Sequence, residues 1–139
     1  MAYVRPIRIE FAHCDPAGIV FYPRYFEMTN SVVETFFADV LGYPFARIVM
    51  EMGCGVPTVR LETDFRAPSR LGEVVDFTLV PVRLGRSSVT FRITAARDGA
   101  VRMSTTATLA WVGPDGRAAP WPEALATGLA AALEEGPAP

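Results

Sequence analysis

Apolar and polar residues alternate near the start of the chain, where Ile7, Ile9 and Phe11 are separated by charged residues. A period of two is typical of a strand with one buried face. The pattern predicts a first strand over residues 4–11. Pro6 near its start favours an edge position, because proline cannot donate a ladder hydrogen bond.

A second pattern follows, in which apolar residues recur at steps of three and four: Tyr25, Met28, Val32, Val33, Phe36, Phe37, Val40 and Leu41. This spacing predicts a helix with a wide apolar face. Pro23 suits the first helical position, and Gly42 suits the position just past the end. Such a helix is roughly 28 Å long, at about 1.5 Å per residue. A short helical piece is predicted over Pro44–Met52.

The rest of the chain is predicted to be mostly strand. The expected strands are Val56–Phe65, Val74–Leu84, Ser88–Ala96 and Val101–Val112. Asp98-Gly99 is a strong signal for a tight hairpin between the last two. A terminal helix is predicted over Pro122–Glu134, with a frayed tail at Gly136–Pro139.

The order is therefore a strand, a long helix and four more strands joined by short connections. An antiparallel sheet must cover its apolar face, and one long helix is available to do so. The sequence predicts an α+β protein in which a five-stranded antiparallel sheet wraps a long central helix. We expect residues 1–139 to form one domain.

Composition narrows the function classes. The net charge of −2 indicates neither nucleic acid nor an anionic membrane as a partner. There is no lysine, which excludes Schiff-base chemistry. Cys14, Cys54 and a single histidine do not make a usual structural zinc site, so no metal is expected. Without a signal-like or membrane-spanning segment, we expect a cytoplasmic protein.

The candidate chemistry lies in the loop between the first strand and the long helix, where a histidine, a cysteine and an aspartate are consecutive. Asp15 precedes Pro16, and this pair commonly opens a turn in which the carboxylate accepts backbone N–H groups. A carboxylate just upstream of a helix is also a candidate nucleophile or general base. His13 is either a turn-stabilising imidazole or a group that contacts substrate or orients water. A mechanism through Cys14 and His13 is disfavoured, because adjacent residues on an extended segment point apart.

Tyr22 occupies the expected N-cap of the long helix, and tyrosine caps a helix poorly. The first amides would then be unclaimed by a side chain, at the positive end of the helix dipole. Such an end can stabilise an oxyanion. The neighbouring aromatic residues Phe21, Tyr25 and Phe26 either line an apolar acyl pocket or belong to the core.

Two further segments carry candidate ligand contacts. Gly55, before the second strand, is either part of a tight turn or a backbone that approaches a ligand and offers its amide as a second donor. The turn Arg83-Leu84-Gly85-Arg86-Ser87-Ser88 combines guanidinium and hydroxyl groups that suit a phosphate. It equally suits a solvated hairpin.

The loop sequence Asp15-Pro16-Ala17-Gly18-Ile19-Val20-Phe21-Tyr22-Pro23-Arg24-Tyr25, with Phe11 and Cys14 before it, resembles the signature of the 4-hydroxybenzoyl-CoA thioesterase family. The likeness is close over about 25 residues, and the order of elements agrees over nearly the whole chain. The resemblance implies the hotdog fold, hydrolysis of acyl-CoA thioesters without a metal or other cofactor, and coenzyme A as part of the substrate. It also implies a homodimer or homotetramer with active sites at subunit interfaces.

The resemblance assigns roles residue by residue. Asp15 matches the catalytic aspartate, the amide of Tyr22 matches the oxyanion donor, and Gly55 matches a glycine that neighbours the substrate from the other chain. The turn with Arg86, Ser87 and Ser88 matches a region that contacts the phosphates of coenzyme A.

Two departures qualify the assignment. Gly85 replaces a basic residue of that turn, so Arg83 is a candidate to supply the missing phosphate contact. Asn30 stands where the 4-hydroxybenzoyl enzyme has an acid facing the acyl pocket, which weakens a claim for a 4-hydroxy substituent.

The sequence thus predicts an acyl-CoA thioesterase for an aryl or medium-length acyl group. Two alternatives stay open. One is a hotdog hydratase or dehydratase, for which His13 is the only candidate partner of an acid. The other is a non-catalytic acyl-CoA-binding protein on the same fold.

Overall fold

A computed structural model describes residues 1–134, and in it five strands form one antiparallel sheet. The strands are β1 (Tyr3–Arg8), β2 (Thr58–Phe65), β3 (Val74–Leu84), β4 (Ser88–Arg97) and β5 (Ala100–Ala110). Their order across the sheet is β1-β3-β4-β5-β2, so β1 and β2 are the two edges. The predicted strand pattern is confirmed, and the predicted tail at Gly136–Pro139 lies outside the described residues.

Two helices accompany the sheet, α1 (Arg24–Asp39) and α2 (Glu123–Glu134). The helix α1 has 16 residues, so at about 1.5 Å per residue it is shorter than the predicted length of roughly 28 Å. It ends early because the chain turns after Val40, with Gly42 at φ +73°. Glycine adopts this left-handed conformation without steric cost, which is why it marks the helix end in the sequence. No helix within the described residues is long and apolar enough to cross a bilayer.

The apolar face of α1 lies in the core. Val32, Phe36 and Phe37 are fully buried. The ring of Phe36 contacts Phe91 of β4 edge to face, with centroids 5.4 Å apart. Burying each such ring contributes about 1.5–3 kcal/mol. The three- and four-residue period of the sequence therefore corresponds to the packing of α1 against the inner face of the sheet.

The first strand differs from its prediction. β1 ends at Arg8, and residues Phe11–His13 form a 3₁₀ turn instead of continuing it. The side chain of Ile9 is buried as expected, whereas that of Phe11 is 82% exposed. The turn begins here because the amide of Glu10 bonds the imidazole Nδ1 of His13 at 2.8 Å, which draws the chain into a bend.

The edge strand β2 is exposed on both faces. Val59, Leu61 and Phe65 are 62%, 44% and 47% exposed. An edge strand with apolar side chains and unpaired backbone groups is a ready surface for pairing with another strand. The helix α1 reaches this strand at Phe65, whose ring lies 5.9 Å from that of Tyr25.

The Asp98-Gly99 hairpin is confirmed. Asp98 has φ 51° and Gly99 has φ 78°, and they connect β4 directly to β5. Two consecutive positive φ angles are characteristic of the tight hairpin turn that this dipeptide favours. A short helical segment is also confirmed, as a π-helical turn at Arg47–Glu51 inside the predicted range.

Candidate active site

The loop between β1 and α1 forms a small hairpin over residues 13–21, which we call the Asp15 hairpin. The amide of Phe21 donates to the carbonyl of His13 at 2.9 Å, and the amide of Asp15 donates to that of Ile19 at 3.0 Å. The turn is closed by the amide of Gly18, which donates to the carbonyl of Asp15 at 3.0 Å. Gly18 has φ +75°, a conformation that residues other than glycine rarely adopt.

The carboxylate of Asp15 is held on one side only. Its Oδ1 accepts the amide N–H of Ala17 at 2.9 Å, as expected for an aspartate that opens a turn. Within the described residues no other group donates to this carboxylate, and the side chain is half-buried. One oxygen is therefore fixed by the turn while the other is available to a ligand.

The start of α1 leaves one amide without an acceptor. The N-cap is Pro23 and not the predicted Tyr22, and no side chain caps the helix. The amides of Arg24, Tyr25 and Phe26 each donate to a carbonyl three residues earlier. The amide of Tyr22 donates to no acceptor within residues 1–134. Several free amides were predicted here, and the structure leaves one, the amide of Tyr22. It lies at the positive end of the helix dipole.

An aromatic pocket of about 290 Å³ opens beside Tyr22. It is lined by Val20, Tyr22, Tyr25 and Phe65, with residues 66–68 closing one side. The ring of Phe65 lies 5.8 Å from that of Tyr22 and 5.9 Å from that of Tyr25. Phe65 was missed in the sequence because it reads there as the last apolar position of a strand. Its position at the end of a predicted strand is the sequence feature that could have identified it as a site residue.

Tyr25 has two roles in this geometry. Its ring lines the aromatic pocket, but its hydroxyl points inward and donates to Oγ of Ser69 at 2.8 Å. The side chain is only 4% exposed. Phe21 is exposed, and its ring lies 5.5 Å from that of Tyr22, so Phe21 and Tyr25 both lie near the start of α1.

His13 lies at a different pocket. Its Nδ1 accepts the amide of Glu10, so the neutral imidazole carries its proton on Nε2. His13 lines a pocket of about 250 Å³ with Arg5, Glu27 and Ser31. The structure therefore places His13 on the Asp15 hairpin but not in the aromatic pocket.

Asn30 is exposed on α1. It lines neither the aromatic pocket nor the pocket of His13.

Gly55 does not offer a free amide. Its N–H donates to the carbonyl of Val112 at 2.9 Å, and the amide of Val112 donates back at 2.9 Å. The prediction of Gly55 as a second hydrogen-bond donor is wrong for this chain, because the bridge to Val112 uses that group. Its closeness to a ligand through the backbone stays a prediction.

The turn between β3 and β4 is shaped by Gly85. A Cβ at this position would lie 2.6 Å from Oγ of Ser88, so a basic residue does not fit here without a shift. Arg86 is exposed, and Ser87 is half-buried. Arg83 lines an outer pocket with Arg60 on the sheet face, away from the Arg86 turn.

Apart from Asn30 and Arg83, the predicted residues fall into two groups at opposite ends of the sheet. The Asp15 hairpin and the aromatic pocket lie where β2 ends and β3 begins. Gly55 and the Arg86 turn lie at the other end of β3, about 33 Å away at about 3.3 Å per residue. One chain alone does not bring the two groups together.

The chain matches the family model of the thioesterase-like superfamily over residues 9–129. A curated relative, the 4-hydroxybenzoyl-CoA thioesterase of Pseudomonas sp. strain CBS-3, is 33% identical over 69 residues, which are 49% of each chain. The chain therefore spans about half the length of the curated relative that it matches.

Solved structures agree with this assignment. A hypothetical protein from Thermus thermophilus superposes with a TM-score of 0.86 at 28% identity, covering 95% of this chain and 98% of that one. A gentisyl-coenzyme A thioesterase superposes with a TM-score of 0.81 at 25% identity, covering 88% and 98%. With the family model matching most of its length, the chain belongs to the thioesterase-like superfamily of hotdog proteins.

Proposed function

We propose that the protein is an acyl-CoA thioesterase. The observation that carries this proposal is that Asp15 keeps one carboxylate oxygen without a donor, while Tyr22, seven residues later, keeps its amide without an acceptor. The relatives named as 4-hydroxybenzoyl-CoA and gentisyl-coenzyme A thioesterases favour the same chemistry. In the hotdog arrangement that we propose, α1 is the central helix around which the sheet curls.

In the proposed mechanism the amide of Tyr22 donates to the thioester carbonyl oxygen and stabilises the negative charge that develops on it. Asp15 either attacks the carbonyl carbon or removes a proton from an attacking water. Attack by Asp15 expels the thiolate of coenzyme A and leaves a mixed anhydride, which water then hydrolyses. Either route yields the free acid and coenzyme A, with no metal or separate cofactor.

The aromatic pocket suits the acyl group. Its volume of about 290 Å³ and its lining by Tyr22, Tyr25 and Phe65 favour an aryl or medium-length acyl chain. The exposed ring of Phe21 lies 5.5 Å from that of Tyr22, one of the lining residues. Asn30 does not line this pocket, so we infer from it no selection for a 4-hydroxy group over an unsubstituted ring.

We propose that the phosphates of coenzyme A bind at the Arg86 turn of a second subunit. Arg86, Ser87 and Ser88 supply a guanidinium and hydroxyl groups for phosphate oxygens. Because this turn lies about 33 Å from the Asp15 hairpin of its own chain, the partner's copy is the better placed one. Gly55, at the same end of the sheet, would then border the substrate from the partner.

The exposed edge strand β2 is the proposed contact between subunits. Two copies of β2 related by a two-fold axis pair antiparallel, which sets the end of one sheet beside the opposite end of the other. Val59, Leu61 and Phe65 would be covered in such a homodimer. A homotetramer would then be a pair of these dimers.

The test is thiol release across benzoyl-, hydroxybenzoyl-, aminobenzoyl- and straight-chain CoA esters. We expect hydrolysis of at least one aryl ester by the wild type, and loss of turnover in Asp15→Asn with ester binding retained. The matched control is Asp115→Asn, because Asp115 also bonds an amide two residues ahead, at 3.0 Å, in a distant turn. Near-wild-type hydrolysis by Asp15→Asn would remove this carboxylate from the mechanism.

The same assay separates the alternatives. Ester binding without thiol release in the wild type would indicate a binding protein. A change of enoyl absorbance without thiol release would indicate a hydratase or dehydratase.

A further inference from the structure

The loop between β2 and β3, residues 66–73, holds the Asp15 hairpin in place. The amide of Val20 donates to the carbonyl of Ser69 at 2.9 Å, and the amide of Leu71 donates to the carbonyl of Gly18 at 2.9 Å. This loop is thus paired with the returning arm of the hairpin. Whatever fixes the loop also fixes Asp15, on the opposite arm.

Arg102 of β5 is the residue that fixes the loop. Ala95 pairs with Met103 and Ala96 pairs with Val101, so Arg102 is left over in a β-bulge. A bulge redirects the side chain and the backbone groups of its extra residue. The carbonyl of Arg102 accepts the amides of residues 66 and 67, at 2.8 and 3.2 Å.

The guanidinium of Arg102 holds the next part of the same loop. Its Nη1 donates to the carbonyl of Pro68 at 2.7 Å and to Oγ of Ser69 at 3.3 Å. The side chain of Arg102 is only 14% exposed, and Ser69 is fully buried. A planar guanidinium makes these bonds together, whereas the ammonium of a lysine has a different geometry.

Glu73, at the far end of the loop, is the third loop residue that the guanidinium of Arg102 contacts. Its two carboxylate oxygens accept Nη1 and Nη2 of Arg102 at 3.0 and 3.3 Å. The Arg102 hydrogen bonds, aided by the amide of Arg70, lower the pKa of Glu73 to about 2. Both partners are therefore charged throughout the neutral range, and the loop is held at both ends.

Ser69 also connects the loop to the start of α1. Its Oγ accepts the hydroxyl of Tyr25 at 2.8 Å, in the first turn of α1. Ser69 thus contacts the Asp15 hairpin through its carbonyl and α1 through its hydroxyl. These are the two elements that carry the carboxylate of Asp15 and the unclaimed amide of Tyr22.

We propose that Arg102 and Ser69 are positioning residues, which act through the 66–73 loop to set Asp15 relative to the amide of Tyr22. The proposal rests on the proposed function, in which these two groups act on one carbonyl. Neither Arg102 nor Ser69 needs to touch the substrate. A displacement of about 1 Å between reacting groups lowers turnover by roughly a hundredfold.

The first test is amide hydrogen exchange, which does not depend on activity. In Arg102→Gln and in Ser69→Ala we expect the amides of Val20 and Leu71 to exchange about tenfold faster than in the wild type. The amides of β3 and β4 should be unchanged. The control is Arg92→Gln, because Arg92 is exposed on β4 and makes no ion pair with any described residue.

The second test is kinetic, on the aryl-CoA ester that the wild type hydrolyses best. We expect kcat to fall roughly 10- to 100-fold in Arg102→Gln with KM changed by less than about twofold. Arg102→Lys should recover part of this loss, since it keeps the charge opposite Glu73. Arg92→Gln should behave as wild type.

Unchanged exchange at Val20 and Leu71 would overturn the proposal. A uniform rise across β3 and β4 would also overturn it, because Arg102 would then be a general stabilising residue. Raised local exchange with an unchanged kcat would overturn the positioning role, because catalysis would then not depend on the contacts of Arg102 and Ser69 with the loop. If the wild type hydrolyses no ester, the proposed function fails, and the exchange result alone decides whether Arg102 and Ser69 hold the hairpin.

Discussion

Arg102 and Glu73 form the best-connected ion pair among the described residues, with nitrogen–oxygen distances of 3.0 and 3.3 Å in a two-pronged contact. Arg97 adds a third cationic contact, with its Nε 3.4 Å from the Glu73 carboxylate. The side chains of Arg102 and Glu73 are mostly removed from solvent, at 14% and 22% exposure. Pairs of this kind are screened less than those on an open surface.

The stability of the fold should therefore depend on the charge of Glu73. Its pKa is lowered from an ordinary 4.5 to about 2, so its contribution is present above about pH 4.5 and is lost as the pH falls toward 2. We expect Glu73→Gln to lower the free energy of unfolding by about 1–2 kcal/mol at pH 7 and by much less at pH 2.5. Urea unfolding at a series of pH values measures this.

A suitable control for this series is Glu34→Gln. Glu34 is exposed on α1 and makes no ion pair within the described residues. Its replacement should leave the pH dependence of the wild type intact. Parallel pH profiles for wild type and Glu73→Gln would contradict the assigned coupling.

The substitution Tyr22→Pro removes the unclaimed amide of Tyr22 and still suits the turn that this residue occupies. The amide of Arg24 donates to the carbonyl of Phe21 at 2.9 Å, so Tyr22 is the second residue of a turn, a position that proline favours. We expect Tyr22→Pro to lower kcat by about a hundredfold, as for loss of an oxyanion donor.

The paired variant Tyr22→Ala also removes the ring that lines the aromatic pocket but keeps the amide, so its kcat should stay well above that of Tyr22→Pro. Thiol release from the preferred ester, with circular dichroism to confirm folding, measures both. Equal activity in the two variants would exclude the Tyr22 amide as the oxyanion donor.

Much of the fold follows from local patterns. The buried positions Val32, Phe36 and Phe37 recur at helical spacing, and Asp98-Gly99 has the conformation that this dipeptide favours. These features depend on neighbours along the chain, so one sequence suffices to predict them. The turn at Asp15 belongs to the same class, because its carboxylate bonds an amide two residues ahead.

The rest of the site depends on contacts between distant residues. Arg102 lies 33 residues from Ser69, and the bulge that joins them is invisible in an alternating strand pattern. Gly55 shows the opposite error. The sequence suggested that its amide is free, but the carbonyl of Val112, far along the chain, accepts it. Pairings of this kind are set by register, which local periodicity does not specify.

The proposed dimer predicts that β2 is sensitive to charge. We expect Leu61→Asp to convert the wild-type oligomer to a smaller species, because it places a carboxylate in the proposed interface. The control is Val4→Asp on the opposite edge of the sheet, where the side chain is 53% exposed. Light scattering coupled to gel filtration measures the mass. An unchanged mass in Leu61→Asp would place the interface elsewhere.

The last prediction concerns the origin of the phosphate contact. We expect Arg86→Ala to raise KM for the ester about tenfold at low salt, with a smaller effect at high salt, because the contact is electrostatic. Arg92→Ala on the outer face of β4 should have no such effect. Steady-state kinetics at two salt concentrations measures this.

Mixing Asp15→Asn with Arg86→Ala then tests which subunit supplies Arg86. If Asp15 of one chain works with Arg86 of its partner, each mixed dimer contains one intact site. Random exchange of subunits puts half of the dimers in the mixed form, so about a quarter of the wild-type sites should reappear with wild-type KM. If both groups act within one chain, no intact site forms on mixing, and KM stays at the value of Arg86→Ala. Since the two groups lie at opposite ends of the sheet in a single chain, we expect recovery.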